Sequence, residues 1–318
     1  MPASIYPLSV PRRPAPGAAY DAVVVGGGPA GLGAALVLGR ARLRTLVVDS
    51  GRPANASSPQ VGGLLGGRRV APQELRRDGR DQLAAYPSVE ITDGEVLSID
   101  RARGGFAVRL AGGAAPVRAH AVLLAHGLRY EHPDVPGLGE LWGRSALHCP
   151  FCDGWEVRDL PVAVLGPGAA GARLARTVVA RWSADVVLCT DGPGGLANER
   201  ADLERAGVRV REEPVRALVG RGGMLERIEF DEGPAEERDA IFVRPAISQP
   251  NDLAEQLGCR LRDDGTIVVE DAGRTGVPGV YAAGDAATPS VRSVALAIGS
   301  GTRVGASLVL DLTAQAAA

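Results

Sequence analysis

Lysine is absent from this chain. All 35 of its lysine-plus-arginine positions are arginine. That excludes Schiff-base chemistry, anchoring of pyridoxal phosphate and a lysine-bearing phosphate loop, each of which needs a primary amine. No charge of one sign dominates either. The 35 cations face 37 carboxylates, for a net charge of −2, and such a balance leaves no electrostatic footprint for nucleic acid. No uninterrupted apolar run approaches the ~18 residues of a membrane span, so no membrane partner is expected. Cysteine is sparse, with Cys149, Cys152, Cys189 and Cys259 only. A disulfide-stapled secreted scaffold would use more, which points to a reducing, cytoplasmic setting. Residues 1–19 are Pro-rich and lack the apolar core of a secretory signal. They are expected to form a disordered tail.

What remains is a chain of 318 residues with 45% apolar side chains. This is the composition of a folded protein long enough for two domains. Asp21-Ala-Val-Val-Val25 reads as a strand. It runs into Gly26-Gly-Gly-Pro-Ala-Gly31, then an apolar helix of small residues, then the strand Arg44–Val48 ending in Asp49. In such a β-α-β unit Gly26, Gly28 and Gly31 supply the tight turn, the close approach of backbone to a pyrophosphate and the close packing of helix on strand. Pro29 and Ala30 open the helix, whose N–H groups meet the phosphates. Asp49 stands 18 residues past Gly31, at the strand end where a carboxylate accepts ribose hydroxyls.

The same unit recurs about 140 residues later. Val162–Leu165 is followed by Gly166, Gly168 and Gly171 in the same spacing, then an Ala/Arg/Leu/Val helix and the strand Asp185–Cys189. Asp191, 20 residues past Gly171, takes the place of the ribose acid. Two such units predict an α/β fold with two Rossmann-like dinucleotide-binding domains. Further strands are expected at Ala240–Val243 and Thr266–Val269, and a last apolar helix near 293–312.

Cys149-Pro150-Phe151-Cys152 is a CxxC. The spacing lets two thiols close a small disulfide, or lets one resolve a mixed disulfide made by the other. Zinc would need four ligands, and no second CxxC supplies them, so no metal is expected. Buried structural thiols are the other reading. His148 before the pair can lower a thiol pKa, or face solvent as an ordinary loop histidine. Asp153 after it can shuttle a proton. Cys189 and Cys259 sit in apolar runs and read as small buried hydrophobes.

Two Rossmann units with a CxxC between them, together with Cys149-Pro-Phe-Cys-Asp-Gly154 and Val280-Tyr-Ala-Ala-Gly-Asp285, resemble the low-molecular-weight thioredoxin reductases and their thioredoxin reductase-like relatives. These belong to the FAD-dependent disulfide oxidoreductases. The resemblance runs from about Asp21 to Leu312. It implies a discontinuous FAD-binding domain over 20–128 and 243–318, with a central NAD(P)-binding-like domain over 129–242 that carries the CxxC. It implies that Cys152 lies against the flavin, that Cys149 is the more exposed thiol attacking the partner disulfide, and that Asp153 protonates the departing thiolate. Gly284 and Asp285 match flavin-ribityl contacts. Arg292 and Ser293 match the start of the flavin-facing last helix, and Asn55 a flavin-contacting position. The family's Ala-Thr-Gly reads Ala125-His126-Gly127 here.

The resemblance also implies a homodimer and, as partner, a thioredoxin-like protein or a small disulfide or dithiol. One pattern departs. The arginine pair that grips the extra phosphate of NADPH is replaced by Thr190-Asp191-Gly192, so the NADPH site is weak, although NAD(P)H remains a possible cofactor. Three functions follow: a disulfide reductase, an oxygen-dependent dithiol oxidase running the other way, and a non-catalytic flavin redox sensor. The weak second nucleotide site favours the oxidase, Asp153 speaks against it because oxidase relatives tend to place His there, and the intact CxxC beside a proton donor ranks the sensor last. The purified chain is expected to carry the absorbance of bound FAD; absence of the flavin bands, with no gain on adding FAD, would contradict the dinucleotide reading of the first turn.

Overall fold

The computed structural model describes residues 19–67, 69–113 and 115–316. The expected N-terminal tail lies outside these residues, apart from its last position. The chain forms two compact units. Among the described residues, one comprises 19–53 with 73–129 and 248–316, and the other 54–72 with 130–247.

In the first unit, strand β1 (Tyr20–Val25) leads to helix α1 (Pro29–Arg40) and strand β2 (Thr45–Asp49). Helix α2 (Pro72–Leu83) and strands β3 (Val89–Asp93), β4 (Val96–Ala102), β5 (Gly105–Leu110) and β6 (Val117–Leu124) follow. The β-branched runs of β1 and β2 pair in parallel, Val23 opposite Leu46 and Val25 opposite Val48. They are buried on both faces, as parallel central strands must be. Alternation then divides the core. Val23, Val25, Val48 and Val122 pack on one face with Phe106 and Ile267. Ala22, Val24, Val47 and Leu123 pack on the other with Leu38 of α1.

The second unit contains β7 (Arg129–Glu131), α3 (Leu138–Leu141), β8 (Ala146–Leu147), α4 (Pro150–Asp153), β9 (Val162–Leu165), α5 (Gly168–Arg181) and β10 (Val186–Cys189). It continues through α6 (Arg200–Arg205), β11 (Arg209–Arg211), β12 (Val215–Arg221), β13 (Met224–Phe230), β14 (Glu236–Glu237) and β15 (Ala240–Val243). A parallel sheet runs β11-β10-β9-β15-β8, beside an antiparallel β12-β13-β14 sheet. Cys189 is wholly buried in β10 and Cys259 is buried in the first unit, both as free thiols.

The chain returns to the first unit through β16 (Ala246–Ser248), α7 (Leu253–Gln256), β17 (Val280–Ala282) and α8 (Val294–Ala316). Strand β17 pairs with β6 and completes the sheet order β3-β2-β1-β6-β5-β4. The strand expected at Thr266–Val269 is reduced to one bridge between Leu261 and Ile267. Asp264 accepts from the Thr266 N–H and hydroxyl and folds the segment into a turn instead.

Helix α8 is long and apolar enough, by composition, to cross a membrane, yet Val304 and Leu308 are buried in the core that α1 shares. Glycines set that packing. A side chain on Gly301 would run into the Ala30 carbonyl, one on Gly305 would lie 3.0 Å from the Ala34 carbonyl, and one on Gly33 would lie 2.9 Å from the Ile298 carbonyl. Gly301→Leu must therefore push α1 off the sheet. It is expected to cost about 3 kcal/mol of stability and to lower the FAD content of the purified protein; unchanged denaturation midpoint and flavin content would contradict this packing.

Candidate functional sites: a dinucleotide cradle and a redox pair

The first glycine turn is built for close approach. Gly26 has φ +108°, and a side chain there would collide with the Ala125 carbonyl. One on Gly31 would collide with the Gly26 carbonyl, so helix and strand touch backbone to backbone. Nothing lies within 4 Å of where a Gly28 side chain would project. Helix α1 starts there with Gly28 as an N-cap without side-chain capping, Pro29 at its first position and no acid in its first turn. An open cradle of uncapped N–H groups with no competing carboxylate fits a pyrophosphate.

Gly284 joins this turn. At φ +69° a side chain on Gly284 would lie 2.7 Å from the Ala30 methyl, and the Gly284 N–H donates to Ser300 Oγ of α8 at 2.8 Å. Asp285 follows, half-buried, and its carbonyl accepts from Thr288. Ser293 caps α8: its Oγ accepts from the Leu296 N–H at 3.2 Å and its carbonyl from Ala297 at 2.9 Å. Arg292 lies 3.7 Å from Asp264. Gly127 has φ +71° with open space around it. Asn55 belongs to the 54–72 segment, which groups with the second unit rather than with these residues.

Asp49 ends β2 as expected, but its carboxylate is already engaged. One oxygen pairs with Arg76 of α2, with Arg80 at 3.8 Å, and the other accepts from the Gly51 N–H at 3.1 Å. Burial pushes its pKa up, and the hydrogen bonds from Arg76, Gly51 and Gly27 more than offset this, holding the carboxyl below its ordinary value. It stays ionised, with lone pairs left for ribose hydroxyls.

His126, where the family pattern has threonine, is also fixed by its surroundings. Its Nε2 lies 3.2 Å from Gln249 Oε1. The Gln249 amide nitrogen donates to the Gly265 and Ala286 carbonyls, so Oε1 is the acceptor and Nε2 carries the proton. Burial lowers the imidazole pKa to about 4, leaving the ring neutral.

In the second unit Cys149 and Cys152 form a disulfide with a Cα–Cα distance of 5.3 Å. Cys149 is the N-cap of α4, and its Sγ accepts from the Cys152 N–H at 3.2 Å. That position tucks it in. Cys149 is 8% exposed and Cys152 is half-buried, the reverse of the expected order of exposure. Burial, with Glu156 nearby, raises the Asp153 pKa to about 6. His148 is exposed, its ring 5.0 Å from Tyr130 and stacked at 5.9 Å on Trp142.

Beside the pair lies an open cleft of about 460 Å³ lined by Phe151, Trp155, Arg158, Asp159, Arg181 and Trp182. Phe151 meets Trp182 edge-on, and Arg158 covers Trp155 at 4.1 Å. Gly62 of the 54–72 segment presses on the Cys152 carbonyl with no room for a side chain.

The second glycine turn differs from the first. Gly166 has φ +158°, Gly168 φ +64°, and Gly171 abuts the Gly166 carbonyl. The Gly168 N–H, however, donates to the Gly194 carbonyl at 2.8 Å. Asp191, at φ +55°, accepts the Val215 N–H on Oδ1 at 2.7 Å rather than presenting that oxygen to a ribose.

Sequence reasoning missed Arg76, Gln249, Ser300 and Gly62. Only Arg76 left a trace, as one of two arginines four apart on a helix face that passes Asp49.

With this geometry in hand, comparison with known proteins is decisive about class. Residues 20–301 match the pyridine nucleotide-disulphide oxidoreductase family, and the chain belongs to it. Within that family it is a thioredoxin reductase-like FAD-dependent oxidoreductase of the two-Rossmann-domain fold. It is 30% identical to thioredoxin reductase tcpT of Claviceps purpurea, over 93% of this chain and 96% of that one. It superposes on a thioredoxin reductase structure (TrxB) from Bacillus anthracis with a TM-score of 0.88 at 33% identity, covering 93% and 99% of the two chains. It superposes on the structure of HlmI with a TM-score of 0.87 at 38% identity, covering 94% and 95%.

The raised Asp153 pKa has a consequence for stability. The fold favours the protonated carboxyl, so Asp153 costs stability as pH rises through about 6. Asp153→Asn is expected to be about 2 kcal/mol more stable than the parent at pH 8 and equal to it below pH 4; a difference independent of pH in denaturant titrations would contradict this environment.

Proposed function

We propose that the chain passes electrons between FAD held on the first unit and the Cys149–Cys152 pair, and from there to a disulfide in a thioredoxin-like protein or a small molecule. The observation that carries this reading is the CxxC disulfide, capped at Cys149 and followed by a carboxyl poised near neutrality. The open turn at Gly26–Gly31, with Asp49, Gly284 and the Ser293-capped start of α8, would hold FAD. When bound, FAD supplies a two-electron carrier matched to one dithiol–disulfide couple.

The chain's own residues account for the thiol steps. In the reduced pair the Cys152 N–H stabilises a Cys149 thiolate, which makes Cys149 the attacking sulfur although it is the more shielded one. Its attack on a partner disulfide forms a mixed disulfide and expels one partner thiolate. Asp153, protonated in part at neutral pH, donates a proton to that thiolate. Cys152 then attacks Cys149, closing the Cys149–Cys152 disulfide and releasing the second partner thiol. The aromatic cleft beside the pair, with Arg158 and Arg181 in its wall, favours partners that present apolar surface with a carboxylate.

Selective alkylation tests the assignment. Cys152→Ser leaves Cys149 as the remaining thiol of the pair, and its alkylation rate is expected to follow a pKa at least about one unit below that of a free cysteine. Cys149→Ser, with Cys152 remaining, is expected to follow an ordinary one. Both variants should lose about 100-fold or more in dithiothreitol-driven bleaching of the flavin. The reverse pattern of pKa values would swap the two roles, and bleaching retained in both variants would overturn the pathway.

A further inference from the structure

We propose that the loop from Thr190 to Leu196 closes the second dinucleotide cradle from within, so that this unit does not take a pyridine nucleotide in the conformation the fold stabilises. A phosphate bound at such a turn is held by N–H groups at the start of the following helix. In helix α5 the N-cap is Pro167, which has no N–H, and the first helical N–H, that of Gly168, is spent on the Gly194 carbonyl at 2.8 Å. The Gly194 carbonyl oxygen thus takes the place of a phosphate oxygen at that N–H. In the first turn a side chain on Gly28 would meet nothing within 4 Å, whereas one on Gly168 would meet the Gly194 carbonyl at 4.0 Å.

The loop is tied down on both sides. The Thr190 N–H donates to the Arg211 carbonyl at 3.0 Å, and its hydroxyl to the Gly192 carbonyl at 2.6 Å. The Gly192 N–H donates to the Glu212 carbonyl at 3.1 Å. The Gly194 N–H donates to the Glu212 carboxylate at 3.2 Å, and Arg200 pairs with the other oxygen of that carboxylate at 2.6 Å. Asp191 is latched to the Val215 N–H, and Leu196 is buried at 3% exposure. Gly194 leaves no slack, since a side chain there would lie 2.7 Å from the Thr190 methyl. Entry of a pyrophosphate would break the Gly168–Gly194 bond and bring its charge toward the Glu212 carboxylate, which accepts from the N–H of the same Gly194. The Gly194 N–H and Arg200 both answer that carboxylate, so the closed loop is the satisfied state.

On the function proposed above, electrons can still reach the cysteine pair without a nucleotide: a dithiol opens the Cys149–Cys152 disulfide, is itself closed to a disulfide, and leaves two electrons and two protons on the pair.

Calorimetric titration of the FAD-loaded protein with NADPH, NADH and ADP-ribose tests the closure directly. No saturable binding is expected up to about 1 mM of any of the three, and the amides of Gly168 and Gly194 should exchange slowly with and without them. Saturable binding of any one overturns the proposal. In Glu212→Ala, exchange across 190–196 is expected to accelerate about tenfold or more, whereas unchanged exchange would show that the latch described here does not hold the loop. Dithiothreitol separates the two readings. If it leaves the disulfide closed and the flavin coloured, thiol entry and the proposed electron pathway fail together, while closure of the cradle still stands or falls on the nucleotide titration.

Discussion

The structure depends on one contact: the backbone of α1 pressed against backbone on two sides. Gly31 meets the turn at Gly26, and Gly301 of α8 meets the Ala30 carbonyl. Neither contact tolerates a methyl group. Together they fix where the first turn of α1 points, and with it the N–H groups that make the cradle. The burial of Leu38, Val304 and Leu308 stabilises the layer, but side chains of that size pack in many ways. The glycine contacts select one of them. Gly284 extends the same logic by seating β17's exit against Ala30.

With no lysine in the chain, its cationic side chains are arginines, and several of them work in fixed pairs. Arg76 holds Asp49 and Arg200 holds Glu212, each ordering a carboxylate beside a glycine turn. The outcomes differ because the neighbouring loops differ. Near Asp49 the turn stays open, whereas near Glu212 a carbonyl fills it. The redox pair follows a different principle. There burial, with Glu156 nearby, keeps the Asp153 carboxyl close to neutrality, where it can exchange a proton.

Much of this was legible in the sequence, because Rossmann units announce themselves in short range. A β-branched run, a glycine spacing and a helix of small residues are local signals, and both units form where they occur. The tertiary features left little trace. The 54–72 segment has no periodicity, and its packing beneath Cys152 depends on Gly62 meeting a carbonyl 90 residues away. Thr266–Val269 has the β-branched look of a strand, yet Asp264 turns it on itself. Asp191 stands at the strand end that spacing assigns to it, but a left-handed backbone swings its carboxylate onto Val215. The exposure of the two cysteines could not be read from a CxxC, because capping geometry decides it.

The interleaving of the two units bears on how the chain is assembled during synthesis. The second unit has all its parts once residue 247 has been made, since 54–72 has already emerged. The first unit does not. Helix α1, made well before α8, must wait with its glycine face uncovered until α8 leaves the ribosome. The outer-numbered strands β1 and β17 flank β6 in one sheet, so the unit that begins first closes last. A ribosome paused between the codons for residues 247 and 294 would thus carry a finished redox unit attached to an unfinished cradle.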